Sequence, residues 1–370
     1  MSQAPADIRK TALNDLHREL QARLVPFAGY DLPLHFAPGI LKEHLHTRAQ
    51  AGLFDVSHMG QIRLHGKGAA AALESLVPGE LLGLPLYCTR YTLLLNEAGG
   101  IIDDLMVTNA GDHLFLVVNA ARIEADLAFL RAMLPEEIEI EPLTERSLIA
   151  LQGPAAAEVM ARHVPMAGLM RFMTQMSATL AGKPVLISRS GYTGEDGYEI
   201  SVTDRDAETV ARALLSEPEV EPVGLGARDS LRLEAGLCLY GQDIDETTTP
   251  VEAGLAWTIG KRRRAERGFP GVAVLLYQLE HGAPRRRVGI HPNGRAPARE
   301  ETPIVNSTGV SIGKVTSGGF GPSVNGPVAM GYVSTGYAAT GTPLILTVRG
   351  RPLAARVCEL PFIPNNFYRG

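Results

Sequence analysis

Tyr91-Thr-Leu-Leu-Leu-Asn-Glu-Ala-Gly-Gly-Ile-Ile-Asp-Asp-Leu-Met-Val-Thr108 is the stretch on which the fold turns. Residues 91–95 read as an apolar strand, 96–100 carry turn chemistry, and 101–108 resume a strand. Asp103 and Asp104 therefore lie just inside one arm of a hairpin. Adjacent strand residues face opposite sides, so only one of the two can point into a pocket. A carboxylate buried there would hold its proton abnormally and could handle protons or stabilise a cation. A hairpin-flanking Asp is otherwise an ordinary turn residue.

Upstream, Leu13, Leu16, Leu20 and Leu24 recur at helical spacing and predict a helix over 11–24, with Pro26 beyond its end. A second helix is expected over 42–51, stopped at Gly52, and a strand over 60–65. Downstream, 113–119 reads as a strand and 121–134 as a helix. Strands at 147–151 and 184–190 flank a helix at 154–163. A three-glycine loop, 191–197, leads into a strand at 198–202, then helices at 206–215 and 226–235. After Lys261 the texture shifts to short strands broken by Gly and Pro: 287–291, 302–305, 312–316, 328–333, 343–348 and 353–357. Such spacing suggests a small barrel or sandwich. The mixed order predicts an α+β fold rather than βαβ repeats. Residues 1–275 form one region, a linker covers 280–284, and the barrel occupies 284–362.

Composition bounds the function. The 370 residues are 45% hydrophobic and 20% charged, an ordinary balance for a globular protein. A net charge of -5 does not favour nucleic acid as the partner. Cys88, Cys238 and Cys358 are far apart and odd in number, which argues against a disulfide framework or a Cys-based zinc site. The first 20 residues lack the apolar core of a signal peptide, and Asp7, Asp15 and Glu19 interrupt any import-type presequence. No run approaches the length of a membrane span. The expectation is a cytoplasmic enzyme with neither membrane nor nucleic-acid contacts.

Common site chemistries find little support. There is no G-x-S-x-G elbow, and adjacent Ser57-His58 does not make a triad, which leaves His58 as a structural or supporting polar group. His44 and His46 are two apart on a helix and point in different directions. Asp243-x-Asp245-Glu246 lacks the glycine and the terminal glutamate of a calcium loop. No metal is expected. No nucleotide-binding loop is present, and Gly191-x-x-Gly194-x-x-Gly197 carries acids that would repel phosphate. That loop better suits backbone approach to a flat, neutral ligand. The runs Lys261-Arg-Arg-Arg264 and Arg285-Arg-Arg287 read as a solvated face or as a docking patch for an acidic protein.

Eight segments occur in order: Phe27-Ala-Gly-Tyr30, Phe54-Asp-Val-Ser-His-Met-Gly60, Asn96 through Asp104, Leu151-Gln-Gly-Pro154, Ser190 through Glu199, Gly224-Leu-Gly-Ala-Arg-Asp229, Leu239-Tyr-Gly-Gln-Asp243 and Thr249 through Trp257. Together they resemble the glycine cleavage T-protein family, from about residue 11 to the C-terminus. The resemblance implies two interleaved subdomains and a small C-terminal β-barrel around a central folate channel. It implies transfer of the aminomethyl-derived one-carbon unit from the lipoyl arm of H-protein to tetrahydrofolate, with ammonia, 5,10-methylenetetrahydrofolate and the dihydrolipoyl H-protein as products. Carried over by position, Asp104 is the catalytic aspartate near the folate N10. Glu199 and Arg228 match pterin-binding positions, and Tyr91, Tyr192 and Trp257 match aromatic channel positions. Asn119 and Met59 match wall positions. Phe367, in competition with Tyr368, falls where relatives place an aromatic near the aminobenzoyl group.

Two neighbours compete. One is a folate-dependent demethylase of the same fold, expected to lack an aspartate at position 104. The other is a non-catalytic folate-binding protein of iron–sulfur maintenance, whose K-G-C-Y-x-G-Q-E motif is only partly matched by Gly236-Leu-Cys-Leu-Tyr-Gly-Gln-Asp243.

Overall fold

The hairpin forms: Thr89–Leu95 pairs antiparallel with Ile101–Asn109. The computed structural model describes residues 8–370, so the part of the leader reading that rests on residues 1–7 lies outside it. The hairpin opens a five-stranded antiparallel sheet, continued by His113–Val118, Gly60–His65 and Glu139–Pro142. Leu94, Leu105, Val107 and Leu116 pack one face of it against Leu127 and Leu130 of the helix Ile123–Met133.

A six-stranded sheet runs Gln175–Leu180, Lys183–Ser188, Gly197–Thr203, Arg146–Gln152, Ala51–Asp55 and Val220–Pro222. Its strand Ala51–Asp55 precedes the five-stranded sheet in the chain, and the rest follow it. The two α+β subdomains are therefore interleaved. Alternation along the strands divides this sheet into two buried faces. Leu53, Ile149, Ile200 and Val202 meet the helices Ala156–His163 and Asp204–Leu215. Phe54, Leu148 and Ala150 meet Ala227 and Leu231 of the helix Leu225–Glu234. That last helix lies close to its neighbours, since a Cβ on Gly224 would come within 2.5 Å of the Leu34 backbone. The six short strands of the C-terminal region close into a barrel around Ile290, Ile304, Val315 and Leu346.

Two expectations need correction. The helix predicted over 11–24 is only Asn14–Glu19. Gln21 adopts φ 57°, and Arg23–Phe27 leaves to pair with Tyr30–His35, so Leu24 serves a strand. The change to short strands also comes later than Lys261. Lys261–Glu266 and Val272–His281 are helices, and the first barrel strand is Arg285–Pro292. Among the described residues no helix is long and apolar enough to cross a membrane.

Candidate active site

Asp103 and Asp104 are sorted by a β-bulge. Leu93 opposes Asp104, Leu94 opposes Asp103, and Leu95 opposes Ile101, leaving Ile102 without a partner. A bulge of this kind re-aims the side chains that follow it. Asp104 thereby joins the face of Tyr91 and Leu93, and Asp103 joins the face of Leu94 beneath the Ile123–Met133 helix. The Tyr91 hydroxyl donates to Asp104 Oδ2 at 3.1 Å, and Asn119 Nδ2 donates to Asp104 Oδ1 at 2.7 Å. Asn119 also ties the two faces together, with its Nδ2 2.9 Å from Asp103 Oδ1 and its backbone N–H donating to Asp103 Oδ2 at 3.1 Å. Burial, then the charge of Asp103, pushes Asp104 up to about 7. Burial, then the Asp104 charge, raises the Tyr91 phenol well above its ordinary value.

Trp257 stacks on Tyr91 with centroids 5.5 Å apart, yet remains 65% exposed. A large apolar ring left open beside a half-buried carboxylate offers a stacking surface to a planar partner.

The second sheet supplies the other half. Glu199 pairs across the ladder with Ala150, which puts it on the face covered by the Leu225–Glu234 helix. Ser190 Oγ donates to its Oε2 at 2.7 Å. From the helix, Arg228 lays its guanidinium 5.0 Å from the Tyr192 ring centre, and the Tyr192 hydroxyl donates to the Cys238 carbonyl. Burial pulls Arg228 below its ordinary value, against the charge of Glu199. Its Nη1 is buried with no hydrogen-bond partner among the described residues. A buried N–H without an acceptor is costly, so this edge of Arg228 suits a ligand acceptor. His58 is buried next to it, and burial followed by the Arg228 charge pulls it down to about 4, which keeps it neutral. Met59 packs beside Val117 against the cluster that carries this helix.

Phe367 stands apart from these two groups. It stacks on Phe172 at 4.4 Å and lines a cavity of about 440 Å³ with Arg48, Glu195, Asp196 and Tyr368. Tyr368 lies over Arg189 instead, 4.0 Å from its guanidinium carbon. Phe172 and Asp126, which joins Asp103 below, were missed in the sequence. Neither belongs to a motif, and only tertiary packing brings them here.

Other sequence readings change. The glycines at 191 and 197 are used in packing: a Cβ on either would strike the side chain of Gln152, leaving the expected backbone approach to a ligand without support there. The basic runs are largely consumed internally. Arg263 is buried, donating to the carbonyls of Glu74 and Gly268, both at 2.7 Å. Arg262 pairs with Glu74, and Arg264 donates to Ile259 and Ala256 carbonyls. Arg287 donates to the carbonyls of Ala253 and Gly236, and Arg285 meets Glu252. Only Lys261 and Arg286 remain exposed, so neither run is a free docking patch. His44 bonds to Glu234 and Ser230, whereas His46 bonds to the Ala51 and Glu219 carbonyls. Among the described residues, no group of His, Cys, Asp or Glu is arranged to hold a metal ion.

Comparison with known proteins adds family evidence to this geometry. The family described as GCVT N-terminal domain matches residues 13–263, and the Glycine cleavage T-protein C-terminal barrel domain matches residues 285–363. An aminomethyltransferase of Dictyostelium discoideum is 45% identical over 379 residues, covering 98% of this chain and 94% of its own length. One from Homo sapiens is 46% identical over 379 residues, covering 100% and 93%. The crystal structure of glycine cleavage system aminomethyltransferase T from Bartonella henselae superposes with a TM-score of 0.93 at 43% identity, covering 98% of this chain and 99% of that one. Both eukaryotic relatives are named mitochondrial, which overturns the expectation of a cytoplasmic location.

Proposed function

This chain belongs to the glycine cleavage T-protein family as an aminomethyltransferase, and from that premise we propose that it takes the aminomethyl-derived one-carbon unit from lipoylated H-protein. The acceptor is tetrahydrofolate, and the products are ammonia, 5,10-methylenetetrahydrofolate and the dihydrolipoyl H-protein. The observation that carries this reading is Asp104: a half-buried carboxylate with its proton affinity raised to near neutral pH, gripped by Tyr91 and Asn119 on the face that ends in Trp257.

Folate fits the residues present. The unpartnered Arg228 Nη1 calls for an acceptor, the Glu199 carboxylate for N–H donors, and a pterin edge carries both. Tetrahydrofolate, when bound, supplies the nitrogens that take up the one-carbon unit. Tyr91, Tyr192 and Trp257 provide stacking surfaces, Met59 and Asn119 form wall, and Phe367 is assigned to the aminobenzoyl end. Asp104 has two tasks. Departure of ammonia leaves positive charge on the transferred carbon, and a fixed carboxylate in a desolvated site favours that charge. Asp104 then accepts the proton released at folate N10, which its raised proton affinity permits.

The test is folate-dependent ammonia release from aminomethylated H-protein, with dimethylsulfoniopropionate as the control substrate. Wild type should release ammonia and leave the control untouched, and Asp104→Asn should lower turnover by about 10²–10⁴-fold, the range for one positioned proton-transfer group. Full turnover by the Asn variant would refute the role of Asp104, and demethylation of the control would move the chain to the competing activity.

A further inference from the structure

Asp126 has no role in the reading above, and its surroundings are unusual. It sits in the first turn of the Ile123–Met133 helix and is completely buried. Neither of its oxygens receives a hydrogen bond from an N–H or O–H among the described residues. Its near polar neighbour is Asp103, and the two carboxyl groups are within hydrogen-bonding reach of one another. Two carboxyl groups can bond only through a proton, and a buried, donor-less carboxylate is strongly disfavoured. The group arrangement is not one that holds a metal ion.

We propose that Asp126 is a positioning residue for this reaction, carrying a proton that it donates to Asp103 and so holding Asp103 as the anion that stands behind Asp104. This rests on the reading of Asp104 as the reacting carboxylate. Asp103 then accepts three donors: the Asn119 N–H, the Asn119 side-chain amide and the Asp126 hydroxyl. Burial raises Asp103 above the ordinary carboxylate value, and these three donors oppose that and favour its charged form; that charge in turn raises the proton affinity of Asp104 on the other face of the strand. Burial, then the Asp103 charge, pushes Asp126 up to about 10, in keeping with the proton's placement. Of the other groups facing the trio, the Arg122 charge opposes the protonation of Asp126, and burial with the Asp103 charge outweighs it. Arg122 acts on Asp126 but is paired with Glu246 at 2.9 Å, while Tyr91 and Tyr240 are both raised and stay neutral.

The pH profile of ammonia release separates this from a purely structural role. Asp126→Ala removes the donor, Asp103 takes up the proton itself, and Asp104 loses its charged neighbour. The acidic limb of turnover should then move down by about one pH unit. Asp126→Asn keeps an N–H for Asp103 and should retain the wild-type limb. If both variants keep that limb, or both displace it equally, the proposal is overturned. Should the Ala variant fail to fold, difference infrared spectra of wild type against Asp126→Asn in mildly alkaline buffer decide the matter. A protonated-carboxyl C=O band present in wild type and absent from the variant is expected, and identical spectra overturn the proposal. Retained turnover in Asp104→Asn would remove the reading beneath this one without altering the infrared result.

Discussion

Asp104 works against the fold that holds it. Its folded value lies above the ordinary carboxylate value, so the folded state prefers the protonated form. The resulting penalty is absent below the ordinary carboxylate range, grows as pH rises, and is complete above about 7. Asp104→Asn, which removes that charge and keeps the shape, should therefore melt at a higher temperature than wild type at pH above 7 while losing turnover. Equal melting temperatures there would mean that the carboxylate is well solvated. Glu199 answers to a different measurement. Glu199→Ala strips one side of the proposed pterin position, and folate affinity by calorimetry should fall by about 1–3 kcal/mol, the cost of leaving buried donors unpaired. Unchanged affinity would put the pterin elsewhere.

At the scale of elements, the Lys261–Glu266 helix is a clasp between the five-stranded subdomain and the segment after Trp257. Arg263 is its pin, and Arg263→Ala should lower unfolding free energy by about 2–4 kcal/mol in denaturant titrations, since two carbonyl acceptors lose a charged donor. A change within error would make the run an ordinary solvated face after all. This element also marks how far the sequence could be read. The hairpin, the six barrel strands and the amphipathic helices were legible because a period of two or of 3.6 shows in the residues themselves. The internal use of Arg262 and Arg263 was not, because Glu74 lies far away in the chain and only folding brings it under them. The aspartate pair is the sharper case. Ile101 is buried with Leu93 and Leu95, and plain alternation from Ile101 would turn Asp103, not Asp104, toward Tyr91. The unpaired Ile102 reverses that parity, and nothing in Gly100-Ile-Ile-Asp-Asp104 announces a bulge. Family resemblance selected Asp104, and the register supplies the physical reason.

Across the whole molecule, a buried ionic knot is among the ties that fasten the barrel to the rest. Asp243 accepts from Arg232 Nη1 at 2.7 Å, from Thr316 at 2.5 Å, from Ser317 at 2.8 Å and from the Leu239 N–H at 3.0 Å. Arg232 comes from the helix that carries Arg228, and Thr316 and Ser317 come from the barrel. Asp243→Ala leaves the buried Arg232 guanidinium with only the exposed Asp229 as a carboxylate partner and should cost about 3–5 kcal/mol. Calorimetry should then resolve a barrel transition separate from the remainder; a single transition at the wild-type temperature would show that the knot is dispensable. The C-terminal residues are held by separate ties, with the Asn366 N–H donating to the Gly194 carbonyl and the Phe172 N–H to that of Tyr368. Trp257, finally, is the only tryptophan in 370 residues, and it stands half in water against Tyr91. All indole emission from this protein therefore originates at the wall beside Asp104. A planar ligand settling there should quench that emission and shift it to the blue, so occupancy can be followed optically in the unlabelled native chain.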